Sequence, residues 1–280
     1  MSARRAVVTG ASRGLGRAAA AELARRGWRL VLVGRDGAAL AATCAQLAGD
    51  GHEQAVLDVT DEQAWEMAGN LLEDVQGLVC AAGMLDPVGP VGTYAVEDFR
   101  RTLDVNLVGA LLAITACLPA LRASRGSVVT FSGGGATSPL PRFDAYAASK
   151  AALVRLSENI ARALVDDGVR VNCVAPGFVA TDIHQGTLRA GPALAGAEYF
   201  QSTRDELQRG GVPASESAEL VGLLLERDPD PPFTGKLISA PWDPWREDSF
   251  RRRLAEEPDL ATLRRIDDVF FTASGERCAT

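Results

Sequence analysis

The alternation of short apolar runs with longer helical patterns constrains the fold of this chain more than any other feature. The runs predicted to be strands are residues 6–8, 30–33, 55–57, 78–80, 127–131, 169–175 and 234–240. The stretches predicted to be helices are residues 14–26, 37–47, 61–73, 96–121 and 145–165. Apolar strands separated by helices are typical of a parallel sheet that is covered on both faces. The sequence therefore predicts a doubly wound α/β fold.

The chain reads as a single domain with a C-terminal tail. It has 280 residues, shows no internal repeat and keeps a uniform composition up to residue 240. We expect one domain over residues 1–240 and a tail over residues 241–280, whose charged part is predicted to be helical. Trp242 and Trp245 flank an acid at the start of the tail. They either anchor the tail to the core or to a neighbouring subunit, or stack on a polar ring of a ligand.

Charge and composition argue against several classes of function. With 29 basic and 36 acidic residues the net charge is −7, which disfavours nucleic acid or an anionic membrane as the main partner. No secretory-type apolar segment begins the sequence, and no uninterrupted apolar run reaches the length of about eighteen residues that spans a bilayer. Five cysteines without a Cys-x-x-Cys pair favour reduced thiols and a cytoplasmic location. His52 and His184 have no metal-ligand spacing, so we expect no metal site.

The turn after the first predicted strand carries the most specific local pattern. It reads Thr-Gly-Ala-Ser-Arg-Gly-Leu-Gly over residues 9–16 and opens a predicted helix. Glycines there permit a tight turn and let the backbone approach a pyrophosphate, whose charge is stabilised at the helix N-terminus. The alternative is an ordinary glycine-rich connection. We predict that a dinucleotide binds here, in contact with Gly10, Ser12, Arg13, Gly14, Leu15 and Gly16.

The end of the second predicted strand favours one form of the dinucleotide. It reads Val33-Gly34-Arg35, with no acid to accept a hydrogen bond from a ribose 2′-hydroxyl. Arg35 and Arg13 could instead pair with a 2′-phosphate, since guanidinium groups bind phosphates in a bidentate manner. The alternative is two solvated surface arginines. The sequence therefore favours NADP(H) over NAD(H).

Tyr146 and Lys150 place a phenol and an ammonium one helical turn apart. On a helix both side chains lie on the same face and reach the same small volume. A nearby cation favours the phenolate, so we expect Lys150 to lower the pKa of Tyr146 from its ordinary value near 10 toward neutrality. A tyrosine so adjusted is suited to acid–base catalysis.

Taken together, these motifs resemble those of the short-chain dehydrogenase/reductase family, over about residues 4–235. The resemblance implies a Rossmann-type fold with Tyr146 and Lys150 as catalytic residues that also contact the cofactor. It implies that Asn106 helps to hold a water linking the active site to the lysine. The other cofactor contacts that it implies are Asp58, Val59, Ala82, Gly83, Pro176, Gly177, Val179 and Thr181.

Two departures from the family pattern concern the site itself. The Asn-Asn-Ala-Gly of the family reads Cys-Ala-Ala-Gly at residues 80–83, so both asparagine side chains are missing. The family serine that polarises the substrate carbonyl would stand thirteen residues before the tyrosine, where this chain has Gly133; the serine is Ser132. In an extended chain a shift of one residue turns a side chain to the opposite face, although neighbouring glycines can relax this rule. Ser132, Thr137, Ser138 or a group of the substrate could supply the hydroxyl, or Ser132 could serve only to cap the strand.

The resemblance implies an NADP-dependent oxidoreductase that interconverts a ketone and a secondary alcohol. We expect residues 182–211 to form a lid over a polar, carbohydrate-like or specialised-metabolite substrate. Two other hypotheses remain open: a catalytically silent dinucleotide-binding sensor or scaffold, and an epimerase or lyase that uses the nucleotide transiently. The resemblance also implies a homodimer or homotetramer assembled through the long helices predicted at residues 96–121 and 145–165.

Overall fold

A parallel sheet forms the centre of the protein, and it contains all seven predicted strands. The computed structural model describes residues 4–226 and 232–264. Its strands are β1 (Arg5–Thr9), β2 (Arg29–Gly34), β3 (Glu53–Val56), β4 (Val75–Cys80), β5 (Ser127–Phe131), β6 (Arg170–Ala175) and β7 (Leu237–Ser239). They pair in the order β3-β2-β1-β4-β5-β6-β7, and every pair is parallel. The predicted doubly wound α/β fold is confirmed.

Helices connect the strands and cover both faces of the sheet. In the described residues the α-helices are α1 (Gly14–Arg25), α2 (Gly37–Cys44), α3 (Glu62–Met67), α4 (Val96–Leu103), α5 (Gly109–Ser124), α6 (Asp144–Ala163), α7 (Gln185–Ala195), α8 (Ala197–Arg209), α9 (Ala214–Leu225) and α10 (Asp248–Glu256). A π-helical segment, Asp104–Val108, joins α4 to α5. The third helix is shorter than predicted, because a 3₁₀ turn at Gly69–Leu71 replaces its end, where glycine is a poor helix former.

Two apolar layers hold the helices against the sheet. One face packs α1 and α9 on the central strands through residues such as Leu23, Leu32 and Leu220, all fully buried. The other face packs α5 and α6 through residues such as Cys117 and Leu153. The chain runs outward from β1 to β3 and then returns through β4, so the strand order reverses between β1 and β4. A crevice at the carboxyl ends of the strands is expected at this switch point.

The helix from Val96 to Ser124 is long and apolar enough, by length and composition, to cross a membrane. The sequence pattern predicts no span, because no apolar run of the required length is uninterrupted. In the structure the helix packs one side on β4 and buries Ile114, Cys117 and Leu121. Leu111 on α5 is 40% exposed, so part of an apolar helix face stays uncovered in this chain.

The predicted lid region forms two helices with a small apolar cluster of its own. Helices α7 and α8 meet at Gly196, whose φ of 86° belongs to the left-handed region that favours glycine. The ring of Tyr199 packs on Phe143 with a centroid distance of 4.5 Å. This contact belongs to a cluster with Leu85 and Ala195 that ties the lid to the core.

The described part of the tail, residues 241–264, folds back over the edge of the sheet. The main-chain N–H of Leu237 in β7 donates to the carbonyl of Ala261 at 2.7 Å. Buried Lys236 donates through Nζ to the carbonyls of Glu257, Pro258 and Leu260. The tail therefore occupies hydrogen-bonding positions on the outer edge of β7. The tail helix predicted over residues 246–268 is present in part as α10, and residues 265–268 of that prediction lie outside the described residues.

Candidate active site

The glycine turn and the loop after β4 bring their backbones into close contact. A β-carbon at Gly10 would lie 2.8 Å from the amide nitrogen of Ala82, and one at Gly16 would lie 2.3 Å from the carbonyl oxygen of Gly10. No side chain fits at either position, so both must be glycine. Gly14, with a φ of 54°, opens α1. The turn and the loop after β4 thus form a shallow backbone cradle at a helix N-terminus, which suits a pyrophosphate.

Thr9 fastens this cradle together, a role that the sequence pattern did not reveal. Its buried hydroxyl accepts hydrogen bonds from the main-chain N–H groups of Ala81 and Ala82 at 3.0 and 3.1 Å. These two residues stand in the loop where the family pattern has an asparagine. The loop is therefore held by a threonine from β1.

A cleft of about 810 Å³ runs along the carboxyl ends of the strands. Most of the residues predicted to bind the cofactor or to act in catalysis line it: Gly10, Ser12, Arg13, Gly14, Leu15, Arg35, Asp58, Val59, Ala82, Gly83, Ser132, Tyr146, Lys150, Pro176, Gly177, Val179 and Thr181. Gly16 and Asn106 stand behind its wall. The sequence therefore predicted one continuous site from residues that are far apart in the chain.

The two arginines proposed for a 2′-phosphate line the cleft, each near a carboxylate. Arg35 is 3.6 Å from Asp58, and Arg13 is 3.7 Å from Asp182. Burial raises the pKa of Asp58, but hydrogen bonds from Thr60 and the charge of Arg35 outweigh it, so the net pKa is lowered. Both guanidinium groups are largely exposed. Exposed ion pairs contribute little to stability, so either arginine can leave its carboxylate to bind another anion.

Tyr146 and Lys150 lie together in the cleft, on α6. The ammonium of Lys150 is 5.8 Å from the centre of the Tyr146 ring and donates to the carbonyl of Phe131 at 2.8 Å. Burial lowers the pKa of Lys150 to about 8. Burial also raises the pKa of Tyr146, and Tyr199 adds to this. The direction for tyrosine is opposite to the sequence-based expectation, because desolvation disfavours the charged phenolate.

Asn106 connects this pair to the loop after β4. Its Oδ1 accepts from the N–H of Met84 at 2.8 Å, while its Nδ2 donates to the Met84 carbonyl and to the hydroxyl of Ser149. Ser149 in turn donates to the carbonyl of Tyr146. The side chain of Asn106 thus holds the loop and α6 in register. Ser149 was missed from the sequence, where it reads only as a small residue on the buried face of a helix.

The segment after β6 closes the cleft. Gly177, with a φ of 71°, turns the chain between Pro241 and Val212, and a β-carbon at Gly14 would lie 3.4 Å from Thr181. His184 stacks on Phe178 with centroids 4.0 Å apart, and its Nε2 is 3.1 Å from the carbonyl of Val179. These contacts fix the start of the predicted lid at the wall of the cleft.

The position that faces the Tyr146 hydroxyl is 133, not 132. A β-carbon at Gly133 would lie 2.1 Å from the Tyr146 oxygen. Ser132 lines the cleft but is buried, and its N–H donates to the carbonyl of Val174 as a continuation of the sheet. Because adjacent residues in extended chain point to opposite sides, position 133 is the one that faces the phenol, and the catalytic role of Ser132 stays a prediction.

Trp245 and Trp242 take different places. Trp245 is buried and donates from Nε1 to the carbonyl of Ala240 at 2.8 Å, so it anchors the tail. Trp242 is 75% exposed and stands on the rim of the cleft. The anchoring interpretation therefore applies to one of the two residues.

Comparison with known proteins agrees with this geometry. The family model for short chain dehydrogenase matches residues 4–190. The chain belongs to the short-chain dehydrogenase family. It is an oxidoreductase of the type that binds a nicotinamide dinucleotide, as its sequence motifs indicated.

Relatives of this short-chain dehydrogenase include reductases and dehydrogenases. Carbonyl reductase family member 4 of Danio rerio is 33% identical over 239 residues, which cover 84% of this chain and 95% of the relative. A putative NAD(P)-dependent gluconate 5-dehydrogenase from Beutenbergia cavernae, with bound NADP, superimposes with a TM-score of 0.74 at 28% identity and covers 85% of this chain and 94% of its own. NAD⁺-bound xylitol dehydrogenase shares the fold, with a TM-score of 0.73 at 24% identity over 84% of this chain and 96% of its own.

Proposed function

We propose that this short-chain dehydrogenase is an NADP(H)-dependent enzyme that interconverts a polar ketone and the corresponding secondary alcohol. The observation that supports the proposal best is that Tyr146 and Lys150 line one cleft with the glycine turn, while Asn106 is hydrogen-bonded to Ser149 behind its wall. A proton donor, a cation and a cradle for a dinucleotide are the groups that hydride transfer to a carbonyl requires.

The chain's own residues would carry the proton and stabilise charge. Bound NADPH would supply the hydride to the carbonyl carbon. Tyr146 donates its proton to the oxygen as it becomes an alkoxide, and its raised pKa keeps that proton in place at neutral pH. Lys150 stabilises the phenolate that remains and binds the cofactor ribose. The N–H groups of Gly133 and Gly134, which line the cleft, stabilise the developing charge. The reverse oxidation uses the same groups.

The preference for NADP(H) rests on charge at the adenosine end. Arg13 and Arg35 line the cleft with largely exposed guanidinium groups, and position 35 offers no carboxylate to a ribose hydroxyl. A 2′-phosphate would draw Arg35 away from Asp58, since a charge-assisted bond to phosphate is stronger than an exposed ion pair.

The preference for a polar substrate rests on the outer wall of the cleft. It presents Thr137, Ser138 and Gln185, together with the ion pair between Asp86 and Arg189 at 3.1 Å. Arg189 belongs to α7 and Asp86 to the loop after β4, so the pair joins the lid to the core. Trp242 on the rim offers an aromatic face to a ring of the substrate.

We propose a homodimer as the assembly. Leu111 and Val108 are about two-fifths exposed on the helix Val96–Ser124, and a second copy packed on this face would cover them. The outer edge of β7 is occupied by the tail through the bond from Leu237 to Ala261, which leaves fewer positions for another chain to add there. This arrangement favours the dimer over the tetramer.

NADPH oxidation over a panel of ketones tests the proposed function. Tyr146→Phe should lower kcat about 10²–10⁴-fold, as expected for loss of a general acid. NADPH affinity, measured by fluorescence titration, should stay within a factor of about two, because a hydroxyl outside the cofactor's phosphate contacts is lost. Tyr94→Phe makes the same change outside the cleft and should retain turnover.

The same experiment separates the alternatives. Tight NADPH binding without Tyr146-dependent turnover of any ketone would favour the silent binder. Product formation without net change in nicotinamide absorbance would favour an epimerase or lyase.

A further inference from the structure

A second phenol reaches the cleft from the predicted lid. Tyr199 stands in the first turn of α8 and lines the same cleft as Tyr146. Its ring packs on the fully buried ring of Phe143, with the centroids 4.5 Å apart and the planes tilted by 50°. Both tyrosines pack against one apolar cluster, which contains Phe143 and Leu85. The contact with Phe143 therefore fixes where the lid places this phenol.

Phe143 also belongs to the start of the helix that carries Tyr146. It directly precedes α6, and its carbonyl accepts a hydrogen bond from the N–H of Ala147 at 2.9 Å. Tyr146 lies within this hydrogen-bonded turn. One turn of the chain thus carries Tyr146 and holds Tyr199 against its first side chain. The two phenols keep a fixed relation as long as α8 packs on Phe143.

The hydroxyl of Tyr199 is free to bind a ligand. It makes no hydrogen bond to any other residue that the structure describes. By contrast, the hydroxyl of Tyr94, which does not line the cleft, donates to Asp144 at 2.7 Å. Burial raises the pKa of Tyr199, so this phenol keeps its proton at neutral pH and can donate a hydrogen bond. A half-buried donor without a partner gains free energy when a ligand supplies an acceptor.

Tyr199 also lies close enough to Tyr146 to act on it. The electrostatic interaction between the two phenols contributes to the raised pKa of Tyr146. In the proposed reduction, a carbonyl oxygen that takes the Tyr146 proton lies about 2.8 Å from the oxygen of that phenol. The reacting oxygen is therefore bound in the part of the cleft that both tyrosines line.

The chemistry of the reacting oxygen is compatible with this additional donor. A developing alkoxide has three lone pairs, and one of them takes the Tyr146 proton. The other two can accept hydrogen bonds, one from the main-chain N–H groups of Gly133 and Gly134 and one from Tyr199. Each preorganised donor aimed at a developing oxyanion contributes about 10²–10³ in rate.

We propose that Tyr199 is a further catalytic residue, whose hydroxyl donates a hydrogen bond to the reacting oxygen of the substrate. The inference rests on the proposed function. In the reduction the carbonyl carbon gains the hydride from NADPH and its oxygen gains the Tyr146 proton, while Tyr199 keeps its own proton. Because this phenol comes from α8, the set of donors is complete only when the lid packs on the core as it does here.

Removal of the hydroxyl alone tests the proposal. Tyr199→Phe keeps the ring that packs on Phe143, so the melting temperature and the affinity for NADPH should stay at their wild-type values. We expect kcat and kcat/KM for ketone reduction to fall by the same factor, about 10²-fold, as for loss of a donor that acts in the transition state. Tyr94→Phe removes a hydroxyl outside the cleft and should retain turnover.

Two ketones of unlike shape show which atom of the substrate the hydroxyl binds. The probes are ethyl acetoacetate, an open chain, and cyclohexanone, a ring, each assayed with NADPH. A donor to the reacting oxygen contributes to both reactions, because every ketone has that oxygen. Tyr199→Phe should therefore slow both reactions by a similar factor. A loss for one ketone with wild-type kinetics for the other would place the contact elsewhere on the substrate and overturn the proposal.

Tyr199→Leu separates the hydrogen bond from packing. It removes the ring as well as the hydroxyl, so the melting temperature should fall and turnover should be no higher than in Tyr199→Phe. Wild-type kcat in Tyr199→Phe together with a loss in Tyr199→Leu would show that Tyr199 acts through packing, which would overturn the proposal and leave the reductase standing.

The remaining outcomes distinguish this inference from the function on which it rests. A rise in KM for the ketone with kcat unchanged in Tyr199→Phe would assign the hydroxyl to binding of the ground state and also overturn the catalytic role. Absence of Tyr146-dependent turnover across these ketones and the wider panel would overturn both the proposed function and the role of Tyr199.

Discussion

The ammonium of Lys150 lies 2.8 Å from the main-chain carbonyl oxygen of Phe131, the last residue of β5. This bond places a buried cation near Tyr146, at the end of the central strands. Burial favours the neutral amine and lowers the pKa of Lys150 to about 8. The charge that stabilises the phenolate is therefore lost within the range of pH at which enzymes are commonly assayed.

Ketone reduction should accordingly decline above pH 8. Below this pKa Lys150 is protonated and can stabilise the phenolate; as pH rises through about 8 the ammonium loses its proton. Tyr146 stays protonated over this range because its own pKa is raised. The measurement is kcat against pH at saturating NADPH and ketone. Lys150→Arg should be slower, but its decline should move to higher pH because a guanidinium does not titrate there. A wild-type profile that is flat to pH 9.5 would contradict this role for the lysine.

Arg35 should discriminate between the two cofactors. Its guanidinium is 3.6 Å from Asp58 and largely exposed, within reach of a 2′-phosphate at the adenosine end of the cleft. Arg35→Ala should raise KM for NADPH about tenfold, the equivalent of about 1.4 kcal/mol, and change KM for NADH little. Arg252→Ala, at an exposed position outside the cleft, is the matched control. An equal change in KM for NADPH and NADH would show that Arg35 does not bind the 2′-phosphate.

Glu158 should hold the tail to the core in a pH-dependent manner. Its buried carboxylate accepts hydrogen bonds from Arg162 and, at 2.7 Å, from Arg264 of the tail. Burial raises its pKa, but the arginines outweigh this and the net pKa is lowered. Because the arginines are partly exposed, we expect Glu158→Gln to lower the free energy of unfolding by only about 1–2 kcal/mol at pH 7.

The sign of the pH effect follows from the lowered pKa. The stabilisation is fully present above the unfolded value of 4.5 and disappears as pH falls through the folded value. Melting temperatures of wild type and Glu158→Gln should therefore differ at pH 7 and converge in acid. Glu256→Gln makes the same change on the exposed side of α10 and should match wild type at both pH values. If the difference in melting temperature between wild type and Glu158→Gln were equally large in acid, the loss of stability would be due to packing and not to the charge of Glu158.

The uncovered face of α5 should be the subunit interface. Leu111→Glu places a charge among apolar residues that a second copy would bury, which should convert a dimer to a monomer. Met67→Glu is the control for a charge on an exposed apolar side chain, since Met67 is 87% exposed on a different helix, α3. Light scattering measures the mass of each. A dimer that persists in Leu111→Glu would place the interface elsewhere.

The sequence by itself determined the fold and predicted residues that meet in one cleft. The alternation of apolar runs with helical patterns specifies a parallel sheet. The spacing of apolar residues within each run determines which face of that strand or helix must be buried. The glycine turn and the Tyr-x-x-x-Lys spacing are local as well. Residues that follow different strands, such as Arg13, Asp58 and Tyr146, then meet because the carboxyl ends of parallel strands share one edge.

Tertiary structure decided what depends on contacts between distant segments. The pKa of Tyr146 rises because burial disfavours the charged phenolate, and burial is not encoded in the spacing of two residues. Whether Ser132 or Gly133 faces the phenol depends on how β5 ends against β6. The tail covers the edge of β7 through main-chain carbonyl groups. Because every residue carries such a group, no pattern of side chains in the sequence predicts this contact. Local patterns thus specify the elements, whereas desolvation and close packing arise only once those elements are assembled.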